Sequence, residues 1–272
     1  MSDYLQNSVD ASLESRIADL LSALGGQTAC CARRLGGASS SITFRDTAPM
    51  PSASLAKLCI AVEVFRRLDL GQFDRDERFD LALVPAAGGG GVADYLAPAT
   101  RLTIPEICHL MLAASDNTAG NLLLHLIGIG EVNETMHRLH LEGTVFSRRF
   151  MDWDARAAGW ENVTTASDMV SLLALLNASA LPGAKEIRRM LAGQLRADDI
   201  ISWLPPHAEL MCKTGSLDDV FHIAGLLHGP GGTVAISIMT AAQASIPDAR
   251  TACGKVLRLI WDAWCDSQHT GQ

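Results

Sequence analysis

No stretch of this 272-residue chain approaches the roughly 18 consecutive apolar residues that a membrane-spanning helix requires. The opening Met1-Ser2-Asp3-Tyr4-Leu5-Gln6-Asn7 has neither the basic nor the apolar region of a secretory leader, so a reducing, cytoplasmic location is expected. Lys and Arg total 22 against 30 Asp and Glu, giving a formal net charge of -8, and no basic stripe interrupts that balance. Nucleic acid and anionic membranes are therefore not expected partners, which leaves a small molecule. The seven cysteines (Cys30, Cys31, Cys59, Cys108, Cys212, Cys253 and Cys265) are odd in number and form no C-x-x-C or Cys/His cluster, so they are read as small buried apolar residues. His137, His140 and Glu134 share a short stretch but lack the further converging ligands of a metal site. No G-x-S-x-G elbow occurs, which disfavours an α/β-hydrolase with a Ser-His-Asp triad. Gly88-Gly89-Gly90-Gly91 lacks the Lys-Ser/Thr ending of a phosphate loop and reads as a loop near a site mouth. There is no repeat, linker or low-complexity tail.

What is present is enough apolar material, 48% of residues, to bury a sizeable core. Leu13, Ile17, Leu20, Leu21 and Leu24 recur at helical spacing until Gly25-Gly26 stops them. Two strands, Thr28 to Arg34 and Ser40 to Arg45, flank Gly36-Gly37 as a hairpin. The middle turns helical: Ala56 to Leu68, Ile104 to Ala114, Ala119 to Ile127, Asn133 to Leu139 and Ala166 to Leu176 carry the 3.6-residue period. Strand signals return at Leu210 to Lys213, Val220 to Leu227 and Thr233 to Thr240, before a closing helix from Pro247 to Trp264. Strands at both ends and helices between them imply an antiparallel sheet completed by both termini, with a helical lobe inserted. Residues 1–47 and 198–272 are assigned to the sheet lobe and 48–197 to the helical lobe of one unit.

Three short motifs carry the chemistry. Ser54-Leu55-Ala56-Lys57 lies where a loop enters an apolar helix, and i,i+3 spacing sets the hydroxyl and the amine on one face. A serine needs a base, and a desolvated lysine beside other cations has its pKa lowered toward that role. Free N–H groups at the helix start can stabilise an oxyanion. Taken alone, S-x-x-K is more often a helix cap. Ser115-Asp116-Asn117 sits between two helices and Lys213-Thr214-Gly215-Ser216 at a strand end, and each alone is a turn or a solvated terminus. Their order, S-x-x-K then S-D-N then K-T-G, is the triple of class A β-lactamases and penicillin-binding proteins.

The sequence thus resembles the penicillin-recognising serine enzymes, class A β-lactamases in particular, over almost its whole length. Gly91-Val92-Ala93-Asp94-Tyr95-Leu96, Arg101-Leu102-Thr103-Ile104 and Ser115 to Leu123 are similar to the corresponding family segments. The resemblance implies an α/β (α+β) fold of β-lactamase type, with a five-stranded antiparallel sheet flanked by helices and an inserted all-helical lobe. It implies Ser54 as acylated nucleophile, Lys57 as base or proton relay and Ser115 as proton shuttle to the leaving nitrogen. Asn117 would hold the substrate amide, Lys213 and Thr214 a carboxylate, and Gly215 a close strand approach. The backbone amides of Ser54 and Ser216 would form the oxyanion hole. No metal or organic cofactor is called for.

One departure matters. Asn162-Val163-Thr164-Thr165 resembles the exit of the family's active-site loop, and Arg148 or Arg149 its entry arginine, but the glutamate two residues on and the asparagine four later are missing. Counting from Arg149 gives Met151 and Ala155; counting from Arg148 gives Phe150 and Asp154. Asp152 either substitutes as the base or, with Asp154, pins the loop through its arginines. Trp153 lies in this loop, at the expected pocket border. The leading expectation is hydrolysis of a β-lactam or related amide through an acyl-serine. The alternatives are a cytoplasmic esterase, amidase or acyltransferase, and a slow-deacylating β-lactam-binding protein.

Overall fold

The computed structural model describes residues 2–36, 40–97 and 99–266; Gly37 of the expected hairpin turn lies outside them. In chain order the elements are α1 (Ser2–Ser22), β1 (Gln27–Leu35), β2 (Ser41–Phe44) and β3 (Met50–Pro51), followed by a 3-10 turn at Ala53–Ala56. There follow α2 (Lys57–Asp69), β4 (Arg78–Asp80), β5 (Arg101–Thr103), α3 (Ile104–Ala113), α4 (Asn117–Ile127) and α5 (Ile129–Arg138). Then come α6 (Trp153–Ala157), β6 (Val163–Thr164), α7 (Ala166–Asn177), α8 (Ala184–Ala192) and α9 (Asp198–Ile201). The chain closes with β7 (Glu209–Leu217), β8 (Val220–Gly229), β9 (Gly232–Ala241) and α10 (Ile246–Ile260), which widens into a π turn at Trp261–Cys265.

The main sheet runs β2-β1-β9-β8-β7, with every neighbouring pair antiparallel, so both chain ends build one sheet. Its two faces carry separate cores. On one face Ala224, Leu226 and Met239 pack with Leu55, Phe65, Met111 and Leu173 of the Ser54 turn and helices α2, α3 and α7. On the other, Ile223, Ile236 and Ile238 pack with Ile17 and Leu21 of α1 and Val256, Leu257 and Trp261 near the C-terminus. This two-sided cover explains why β8 reads as a mostly apolar run, interrupted by His222, and not as an alternating strand. Helix starts follow local chemistry. Thr103 and Glu106 form a reciprocal capping box on α3, and Asp116 caps α4 by accepting the Ala119 N–H at 2.8 Å.

Several elements differ from the sequence expectation. Strand β7 does not end at Lys213: Thr214, Gly215, Ser216 and Leu217 continue the ladder opposite Ile223, His222, Phe221 and Val220. The apolar signal stops because these residues border the site and not the core. Helices α6, α8 and α9 have no counterpart in the sequence expectation, nor do the two-residue strands β3 and β6, which pair Met50 with Thr164 and Pro51 with Val163. Two residues carry no periodicity.

Candidate active site

The 3-10 turn that bears Ser54 runs straight into α2, so Ser54 and Lys57 share the face that meets β7. Ala53, just before Ser54, has φ +45°, a left-handed conformation that costs a residue with a Cβ about 1 kcal/mol or more. Ser54 is the second residue of its turn, and its N–H precedes the first intrahelical hydrogen bond. A Cβ on Gly215 would lie 3.1 Å from both Ala53 Cβ and Ser54 N, so any side chain here would press the turn away from edge strand β7 by a fraction of an ångström. Ser216 follows and lines the same cleft as Ser54.

Lys57 is fully buried, and four oxygens surround its Nζ: Ser115 O at 2.6 Å, Asn117 Oδ1 at 2.7 Å, Ser54 Oγ at 3.2 Å and Ser115 Oγ at 3.3 Å. The two short contacts go to a carbonyl and an amide oxygen, which can only accept. The two longer ones go to hydroxyls, which can also donate to an amine lone pair. Burial lowers the Lys57 pKa well below its ordinary value, the Lys213 ammonium and Arg196 lower it further, and Asp116 opposes them. Lys57 thus meets two oxygens that can only accept and two hydroxyls within reach of proton exchange.

Ser115 stands between two lysines, since Lys213 Nζ reaches its Oγ at 2.9 Å and the Thr214 carbonyl at 2.8 Å. It holds that place with φ +58°, a second strained residue at the site. Lys213 is also fully buried, and burial, with Arg196 adding to it, pushes its pKa down to about 7. Asn117 keeps its Oδ1 toward Lys57 by donating from Nδ2 to the Gly88 carbonyl at 2.9 Å. That contact gives the glycine run its purpose: a Cβ on Gly89 would come within 2.5 Å of Asn117 Nδ2, and Gly89 has φ +78°.

These groups open into a cleft of about 300 Å³ whose walls include Ser54, Ser115, Asn117, Thr214, Ser216, Gly89, Phe150, Met151, Trp153 and Arg196. Ser54, Lys57, Ser115, Asn117, Lys213, Thr214, Gly215 and Ser216 are therefore brought together. Asp152 is not. Its carboxylate caps α6 by accepting the Ala155 N–H at 3.0 Å, and it does not line the cleft. The loop geometry corrects the base assignment: Arg148 is the buried entry arginine, paired with Glu161 at 2.6 Å, and Phe150 is the residue two places on. Asn121 fixes Phe150 by accepting its N–H at 2.8 Å and donating to its carbonyl at 3.0 Å. The Phe150 ring then lies over Lys57, with Nζ 4.7 Å from the ring centroid. The side chain facing Lys57 from the loop is thus apolar, and Met151 beside it has φ +61°.

Arg196 is a site residue that the sequence does not single out. It lines the cleft, donates to the Gly90 carbonyl and adds cationic charge near both lysines. No motif surrounds it, so only tertiary placement reveals it. Among the described residues, no three His, Cys, Asp or Glu side chains converge to hold a metal ion, and His137 instead pairs with Glu142.

Comparison with known proteins agrees with this fold. A β-lactamase from Sphaerobacter thermophilus shares it with a TM-score of 0.82, at 24% identity, over 93% of this chain and 97% of its own. A variant of PBP-A, solved as an acyl-enzyme complex with penicillin G, gives a TM-score of 0.83 at 22% identity, over 93% and 96% of the two chains. The β-lactamase regulatory protein BlaB of Streptomyces cacaoi is 24% identical over 273 residues, covering 78% of this chain and 85% of its own length. The profile of the β-lactamase enzyme family matches residues 12–264, nearly the full length, and the chain belongs to that family.

Proposed function

We propose that this chain is a serine acyl-enzyme, acylated at Ser54 by a β-lactam or a related small amide or ester bearing a carboxylate, and that it releases the acyl group slowly. The observation that carries the reading is the Lys57 cluster, in which a buried amine, its pKa lowered well below the ordinary value by burial, touches both hydroxyls that must exchange protons. Lys57 takes the Ser54 proton as Oγ attacks the carbonyl carbon. The Ser54 and Ser216 N–H groups receive the oxyanion. Ser115 passes a proton to the leaving nitrogen as the C–N bond breaks, and is reprotonated through Lys57 or Lys213. Lys213, Thr214 and Arg196 hold the carboxylate.

Release requires a water beside the ester carbonyl and a base to deprotonate it. The Phe150 ring supplies neither and covers the loop side of Lys57. This favours the binding-protein alternative over rapid β-lactam hydrolysis, in keeping with a regulatory relative among the similar proteins. The esterase, amidase or acyltransferase alternative shares every step up to the acyl-serine and differs only in the acceptor.

The test is pre-steady-state turnover of a chromogenic cephalosporin set beside a short-chain aryl ester. A stoichiometric burst with the cephalosporin, followed by a slow steady state, supports the reading. Linear turnover without a burst contradicts it, and a preference for the ester by orders of magnitude assigns the chain to the esterase branch.

A further inference from the structure

We infer that His222, on strand β8 beside the edge strand β7, is a positioning residue that sets the spacing between the sheet-borne and helix-borne halves of the acylation site. The inference rests on the acyl-serine function proposed above. His222 is fully buried and both ring nitrogens are engaged. Its Nε2 lies 2.7 Å from the Pro51 carbonyl, 171 residues away in sequence, and its Nδ1 lies 3.0 Å from the Thr240 N–H that points at it. Nδ1 is also 2.9 Å from the Phe221 carbonyl, which accepts the Thr240 hydroxyl at 2.7 Å. A carbonyl only accepts and an N–H only donates, so the Pro51 and Thr240 contacts together are met by a neutral ring with the proton on Nε2. Burial holds it neutral, pushing its pKa down to about 4.

The contact is placed where it has leverage. Pro51 pairs with Val163 at the exit of the Arg148–Asn162 loop, and Ser52 N donates to the Asn162 carbonyl at 2.7 Å. Three residues after Pro51 comes Ser54. Directly opposite His222 across the β7–β8 ladder is Gly215, the residue whose backbone touches the Ser54 turn. The imidazole therefore ties the segment leading to the nucleophile onto the sheet at the register where β7 presents Gly215 and Ser216. The gap between the Ser54 and Ser216 amides, and the reach of Lys213 to Ser115, both depend on that register. An aliphatic side chain here would take away the ring N–H that the Pro51 carbonyl accepts.

Two variants separate positioning from mere stability. Glutamine places an amide N–H near the Nε2 position and can keep the Pro51 contact; asparagine reaches only the Nδ1 position. Acylation of Ser54 by benzylpenicillin, a chromogenic cephalosporin and a short-chain aryl ester is followed in wild type, His222→Gln and His222→Asn, together with thermal midpoints. The expected result is a saturating acylation rate at least tenfold lower in His222→Asn than in His222→Gln, with similar half-saturating concentrations and similar losses of thermal stability. Equal rates in the two variants with a normally acylated wild type overturn this inference alone. A wild type that none of the three probes acylates overturns the proposed function and this inference with it. If neither variant folds, imidazole ¹⁵N shifts of the wild-type protein decide: a neutral ring protonated on Nε2 is expected, and an Nδ1–H or doubly protonated ring overturns the account.

Discussion

Replacing Phe150 by glutamate should convert a lasting acyl-enzyme into one that turns over. The backbone at this position is held by both hydrogen bonds from Asn121, so the new side chain starts from the same Cα and points toward the same amine. The ring centroid lies 4.7 Å from Lys57 Nζ, close enough for a carboxylate there to pair with that amine or hold a water beside it. General-base assistance is worth about 100- to 10,000-fold, or roughly 3–5 kcal/mol off the release barrier. Losing the buried ring costs about 2–3 kcal/mol of apolar burial, partly offset by charge pairing, so a lower thermal midpoint but a folded protein is expected. The carboxylate also raises the Lys57 pKa, so acylation should slow modestly while release accelerates. The assay is intact-protein mass spectrometry after rapid removal of free benzylpenicillin, with Phe150→Gln controlling for loss of the ring. Equal adduct lifetimes in Phe150→Glu and Phe150→Gln would refute the idea that release is limited by a missing base at this position.

Other substitutions test separate parts of the site. Asp152→Asn should leave adduct lifetime unchanged, because asparagine caps α6 as well as aspartate does; a longer lifetime would restore Asp152 as a base. Lys57→Ala should slow acylation by about 100- to 10,000-fold, and unchanged acylation kinetics would remove Lys57 from the proton path. Gly215→Ala puts a methyl 3.1 Å from Ser54 N and should cut the acylation rate at least about tenfold; a wild-type rate would mean the strand approach is not needed. With Lys213 lowered from 10.5 to about 7, its charge is lost as pH rises through neutrality, so half-saturating concentrations should climb above pH 7 for a penicillin but not for a neutral ester. Between about pH 7 and 10 the unfolded chain holds the proton that folded Lys213 has lost, so unfolding takes up a proton and this group's contribution to stability rises with pH across that window. Thermal midpoints at pH 7 and 9 should show a pH slope that Lys213→Met removes, and an identical slope in that variant would assign it to other groups.

Much of the fold is legible in the sequence because its signals are local: the 3.6-residue period of α2, α3 and α4, and the apolar runs of β8 and β9. The three motifs are legible because their residue types are fixed by chemistry and lie in short sequence windows. What escapes has no local signal. Arg196 reaches the cleft from a loop after α8, and His222 looks like any polar interruption of an apolar strand until its contact with Pro51 is seen. The strained backbone at Ala53, Ser115 and Met151 is hidden because none is the glycine that usually marks positive φ. The loop register is ambiguous between Arg148 and Arg149 until burial chooses Arg148, and only then does Phe150 emerge as the residue over Lys57.

The most direct test of the account is peptide mapping of the wild-type protein after brief exposure to benzylpenicillin and removal of the free drug. The account predicts a single penicilloyl adduct on the peptide containing Ser54, persisting well beyond the time needed to form it and absent from Ser54→Ala. An adduct on another residue, an adduct undiminished in Ser54→Ala, or rapid consumption of the drug with no trapped adduct would contradict it.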